Sequence, residues 1–148
     1  ILRIYTSRIP TISHLSYWQR LSHLKMSSIQ RRMERYKIIY IWKSIENLVP
    51  SIGISTYQNQ RKGRLCRIPP LNNKSPKYIQ TIKENSLIIT GPQLFNKMSP
   101  EVRNLTGCPI EQFKTKLDNY LVEIPDEPRV PGYTQYTSKR NNSIMDYN

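Results

Sequence analysis

Apolar residues recur at helical spacing in several stretches of the chain and at strand spacing in two more. The strongest helical pattern opens at Ser27 or Ser28, either of which can cap it, and runs to about Leu48, where Pro50 ends it. At roughly 100° per residue this helix has two apolar faces. Ile29, Met33, Tyr36 and Tyr40 share one; Ile38, Ile41, Trp42, Ile45, Leu48 and Val49 share the roughly opposite one. Arg31, Arg32, Arg35 and Lys43 form a narrow stripe between them, with Ile39 in their midst. A helix apolar on two sides is sandwiched, so the pattern predicts a central long helix packed on both faces.

Upstream, "SHLSYWQRLSHLKM" predicts a short helix capped by Ser13, with Leu15, Trp18, Leu21 and Leu24 at helical spacing. Ile1 to Thr11 reads as the tail of a preceding helix, and a start at Ile1 in mid-pattern as a fragment of something longer. Downstream, "GRLCRI" alternates like a strand, and "SLIIT" reads as its antiparallel partner. Gly91-Pro92 then predicts a turn into a short helix, "QLFNKM". In "SPEVRNL", Ser99 caps and Pro100 suits the first helical position. The last clear helix starts at Pro109, with Ile110, Phe113, Leu117, Tyr120, Leu121 and Ile124 as its apolar stripe. Beyond "PDEPRVPGY" the pattern fades, which predicts a disordered tail. The expected fold class is mainly α with a small antiparallel β element. Its parts are a helical segment over 1–50, an extension with a β-hairpin and helices over 51–128, and a disordered tail over 129–148.

Charge changes this picture more than composition does. The net charge is +13, but residues 1–83 hold sixteen of the lysines and arginines against two acids, Glu34 and Glu46. Residues 84–148 hold seven basic residues and eight acids. A basic half beside a neutral half points to a polyanion, nucleic acid before membrane, because phosphates reward clustered cations through counterion release. The stripe sits in the amino-terminal half of the long helix, the wrong end for the macrodipole, and a ligand accounts for it better than helix stability does. Candidate phosphate contacts are Arg31, Arg32, Arg35, Lys37 and Lys43 on the helix, with Arg61, Lys62, Arg64 and Arg67 on the "QRKGR…R" segment. Tyr57 and Tyr78 flank that second patch, where they could stack on an unpaired base. A solvated surface or a nuclear-import signal would use the same residues.

Catalytic chemistry is not evident. A two-metal site needs carboxylates brought together, and the basic half offers only Glu34 and Glu46, twelve residues apart. Asp126-Glu127, between prolines, reads as an exposed turn. Cys66 and Cys108 lack metal-ligand spacing and read as reduced thiols of an intracellular protein, nuclear or cytoplasmic. The expectation is therefore no catalytic residue, no metal and no cofactor. The longest apolar run, "IIYIW", is too short to span a bilayer.

Four segments taken in order resemble the C-terminal region of non-LTR, LINE-type (jockey-like) retrotransposon reverse transcriptases. They are "YWQRLSHLKMSSIQRRMERYKIIYIWK", "RKGRLCRIPPL", "LFNKMSPEVRNLTGC" and "FKTKLDNYLVEIPDEPRVPGY". The resemblance spans about residues 1–133. Met33 departs from the family's arginine run, and Met98-Ser99-Pro100 shifts a proline by one position. The resemblance implies a thumb-like helical segment and its C-terminal extension, following a catalytic palm whose paired aspartates this sequence lacks. It implies no enzyme activity for this piece alone, template or primer bound through backbone phosphates, and the upstream palm as a partner in the parent chain. Two other readings stay open. One is a stand-alone interaction module or domesticated remnant docking through its apolar helix faces; the weaker one is a small nuclease.

Overall fold

The computed structural model describes residues 10–71, 74–126 and 143–146. It is mainly helical with one two-stranded antiparallel sheet. A helical turn, α1 (Pro10–Ser13), precedes α2 (Tyr17–His23) and the long helix α3 (Ile29–Ile45). The hairpin follows as β1 (Thr56–Asn59) and β2 (Gly63–Cys66). Then come α4 (Lys77–Glu84), α5 (Leu87–Lys97), α6 (Pro100–Arg103), α7 (Ile110–Val122) and a 3-10 turn at Ile144–Asp146.

The helix ends follow local chemistry. Ser16, rather than Ser13, caps α2 through a reciprocal capping box with Gln19. Ser28 caps α3, its hydroxyl accepting from the Arg31 amide at 3.0 Å. That helix stops at Ile45, before Pro50 is reached, because Asn47 adopts the left-handed conformation (φ 58°). The Leu48 amide then bonds back to the Lys43 carbonyl at 2.9 Å. Pro100 opens α6 next to Ser99 as predicted.

Trp42 and Phe113 form the centre of the core, stacked with centroids 4.4 Å apart and planes 10° from parallel. The indole N–H of Trp42 donates to the Leu105 carbonyl at 2.9 Å, so its polar atom is satisfied while the ring is fully buried. Around this pair pack Ile38 and Ile41 of α3, Leu94, Phe95 and Met98 of α5 and its end, and Leu117, Leu121 and Ile124 of α7 and its end. The α7 stripe is the one read from sequence, with Ile110 and Tyr120 partly buried at its edge. The core draws on residues from both sides of position 50.

Four expectations are corrected. "SLIIT" is not a strand but the first turn and a half of α5, and Gly91-Pro92 lies inside that helix. Burial at Gly91, Leu94, Phe95 and Met98 has helical period, and that packing outweighs the lost proline amide. Gly91 is required there, because a Cβ would sit 2.5 Å from Cδ1 of Ile41. The strand partner of β2 is instead the segment just before it, in register Tyr57 opposite Leu65 and Asn59 opposite Gly63. Second, Lys77–Glu84 forms a helix that the polar sequence did not suggest, and it buries none of its residues.

Third, the second apolar face of α3 is only partly covered, with Tyr40 half-buried. Ile29, Met33 and Tyr36 are exposed, each by more than half. The buried residues are Arg31, Glu34, Ile38, Ile39, Ile41, Trp42 and Ser44, charged at the start and mainly apolar thereafter. Fourth, the predicted disordered tail includes 143–146, where Ile144 is fully buried in the core and its amide donates to Glu34 Oε2 at 3.0 Å. The rest of that predicted tail, and the predicted upstream helix over 1–9, lie outside the described residues.

Ile144→Ala should therefore lower unfolding stability by about 2–5 kcal/mol, the range for truncating a buried isoleucine. Urea denaturation checks this, and an unchanged midpoint would mean that the turn adds nothing to the core.

Candidate nucleic-acid interface

Of the nine cations predicted as phosphate contacts, all but Lys37, which lies mid-helix, fall near one or other end of α3. Arg31, Arg32 and Arg35 lie near its amino terminus. The hairpin is tied to its carboxyl terminus, because Arg64 Nη2 donates to Glu46 Oε1 at 2.6 Å. Arg32 and Glu46 are separated by about 21 Å along the axis at 1.5 Å per residue.

At the amino-terminal end two of the three guanidiniums are neutralised inside the fold. Arg31 is buried, donating to the Pro125 carbonyl at 2.9 Å, with Asp126 Oδ1 3.6 Å from its Nε. The same carboxylate accepts from the Ser28 amide at 2.6 Å and from its hydroxyl at 2.7 Å. An acid from the far end of the sequence thus caps α3, where negative charge stabilises the helix dipole. Asp126 is half-buried and structural, not the exposed turn expected of it. Arg35 makes a two-pronged pair with Asp118 of α7, at 2.5 and 2.8 Å, and that hydrogen-bonded pair raises its pKa. For Arg31 and Arg35 an internal carboxylate, rather than a ligand, accounts for arginine at this end of the helix.

Arg32 is half-buried and, among the described residues, donates only to the Ser27 carbonyl, at 3.2 Å. It lines a groove of about 870 Å³ between α2, α3 and the end of α7, together with Arg35, Trp18, Met26, Tyr36 and Val122. Lys37 donates to Thr90 Oγ1 at 3.2 Å, and Lys43 is half-buried on the last turn of α3.

The hairpin is arranged differently. Asn59 Oδ1 accepts from the amides of Arg61 and Lys62, at 3.0 and 2.9 Å, and so shapes the turn that holds both side chains outward. Gly63 closes the turn with φ 72°, and a Cβ there would strike the Asn104 side chain at 2.6 Å. That asparagine is fixed because its Oδ1 accepts from the Arg64 amide at 2.9 Å. Asn96 does the same for Cys66, accepting from its amide at 2.7 Å and donating to its carbonyl at 2.9 Å. Arg103 is buried and donates to the carbonyls of Asn96 and Lys62, holding the turn from behind. Burial also lowers the Arg103 pKa. On this scaffold Arg64 is buried and paired, whereas Arg61, Lys62 and Arg67 are exposed. None of these three has a carboxylate partner among the described residues. The sequence contains no acid between Glu46 and Glu84 to supply one.

The two acids of the basic half are engaged within the fold. Glu34 is occupied by Gln30 and the Ile144 amide, and Glu46 by Arg64 and the Gly107 amide. No group of three metal-ligating side chains occurs among the described residues. Burial pushes the Cys66 thiol up to about 12, so it stays protonated at neutral pH. No helix among the described residues is long and apolar enough to cross a membrane. Comparison of the chain with protein-family models, curated proteins and solved structures finds no match.

Sequence reasoning grouped all nine cations because it could not see their partners. The acids that neutralise Arg31 and Arg35 lie 95 and 83 positions away, and no local signal marks them. Glu46→Ala should cost about 3–5 kcal/mol, since it leaves the Arg64 guanidinium buried without its carboxylate. Arg67→Ala, on the exposed side of the same hairpin, should change stability by about 0.5 kcal/mol or less. Thermal melts of the two variants give the comparison.

Proposed function

We propose that this chain is a non-catalytic, nucleic-acid-binding piece of a LINE-type reverse transcriptase, from the region that follows the palm. The observation that carries the binding is the hairpin: three exposed cations without carboxylate partners, on an acid-free stretch, held by a rigid network of asparagine side chains. Cations kept apart from acids bind a phosphate backbone without reading its sequence. Arg32, on the groove beside α2, supplies a second contact point about 20 Å away along α3. The reverse-transcriptase assignment is supported by the ordered set of four resembling segments. Their residues supply α2 and α3, the hairpin turn with β2, the end of α5 with α6, and α7 with its exit at Asp126.

A second reading is favoured by one feature. Ile29, Met33 and Tyr36 form an exposed apolar strip on α3, which suits docking on a protein such as the upstream domain of a parent chain. Gel filtration with and without a short duplex separates the two, because self-association without nucleic-acid binding supports docking alone.

The triple variant Arg61→Gln, Lys62→Gln, Arg67→Gln should weaken binding to any sequence and reduce the log–log salt slope by about 2–3. It should leave the melting temperature within about 2 °C of wild type, because these side chains make no buried contact. Titrations at several salt concentrations read the slope, and an unchanged slope would remove the hairpin as the site.

A further inference from the structure

We propose that the Tyr57–Arg67 pair on the hairpin is a subsite for one unpaired nucleotide base, which stacks on the pair, with flanking phosphates on Arg61 and Lys62. This rests on the nucleic-acid reading above and specifies the form of nucleic acid that the hairpin takes.

Tyr57 pairs with Leu65, and Arg67, two residues on and just past the end of β2, continues the ladder, its amide bonded to the Ser55 carbonyl at 2.9 Å. Side chains of Tyr57, Leu65 and Arg67 therefore share one face of the sheet. Leu65 is buried and anchors that face, while Tyr57 remains 40% exposed. The Arg67 guanidinium lies over the Tyr57 ring, 5.4 Å from its centroid, a cation–π contact in which the cation takes one ring face and the pair presents a charged, planar stacking surface. Beside it is a cleft of about 540 Å³, bounded by Gly53, Ser55, Tyr57, Arg67, Pro69 and Pro70. It is a shallow cleft open to solvent, next to the Tyr57–Arg67 pair. At Gly53 an added Cβ would meet nothing within 4 Å, so that wall is open.

Bases in a duplex have their faces covered by neighbouring pairs, so a stacking platform rewards only an unpaired base. Tyr78, the other tyrosine near the basic segment, stands on α4, and no cation stacks on it among the described residues. The hairpin edge gives a further asymmetry. Outward-facing groups of β2 are met by Asn96 and Asn104, whereas those of β1, at Thr56 and Gln58, lie on an exposed strand. An extended acidic peptide could use that edge and the same cations. The Tyr57–Arg67 platform and its cleft have no part in such strand addition, and they favour the base.

The test is fluorescence anisotropy of the full chain with labelled oligonucleotides of about 12 nucleotides, within the usual footprint of single-strand sites. Four probes are compared: a single strand, the same sequence as a duplex, an abasic strand of equal length, and a glutamate-rich peptide. Tyr57→Ala should weaken single-strand binding about tenfold while changing duplex and abasic binding less than twofold. Tyr57→Phe should retain wild-type affinity, and so should Tyr78→Ala. Circular dichroism melts confirm that each variant folds. Equal loss on the abasic strand, no loss with Tyr57→Ala, or equal affinity for the peptide would overturn the subsite while leaving phosphate binding intact. A wild-type chain that binds none of the nucleic acids at low salt would overturn the nucleic-acid reading, and the subsite with it.

Discussion

A guanidinium cannot be left bare in a protein interior, and that constraint organises this chain. Arg31, Arg64 and Arg103 are all buried, and each is met by a carboxylate or by backbone carbonyls. Asp126 reaches back across the sequence to meet Arg31 and to cap α3 in the same contact. Glu46 at the end of α3 holds Arg64 with one oxygen and the Gly107 amide with the other. Glu46 and Asp126, two of the few acids of a strongly basic chain, are thus placed where burial demands them. On the hairpin, Arg61, Lys62 and Arg67 remain outside without a carboxylate partner among the described residues.

That partition links folding to function. Neutralising the arginines at the two ends of α3 orients α7 and the hairpin around the Trp42–Phe113 stack. The same contacts leave Arg61, Lys62 and Arg67 on a hairpin whose backbone is fixed by Asn59, Asn96 and Asn104. A rigid, exposed and unpaired set of cations loses little side-chain or backbone order on meeting a phosphate chain. The apolar strip of Ile29, Met33 and Tyr36 is the other surface that the fold does not use internally.

Periodicity was legible wherever burial was apolar and local. The α7 stripe, the Ser28 cap, the Pro100 helix start and the Gly63–Cys66 strand could all be read from neighbouring residues. It failed where long-range partners decide. The buried face of α3 begins with Arg31 and Glu34, which a hydropathy wheel places in water, and the partners that reverse this are Asp126 and Ile144. "SLIIT" is a short run of strand-forming residues, but Gly91 against Ile41 and the buried Phe95 make it helical. For the candidate site, the residue types and the cluster were visible, and which cations stay unpaired was not.

The central claim is that burial and pairing sort the arginines into structural and available sets. Modification of the native chain with an arginine-selective dicarbonyl, mapped by mass spectrometry with and without a nucleic-acid strand, tests it directly. The account predicts rapid modification of Arg61 and Arg67 that nucleic acid suppresses, with Arg31, Arg64 and Arg103 slow throughout. Rapid modification of Arg31 or Arg64, or no protection of Arg61 and Arg67 by bound nucleic acid, would contradict it.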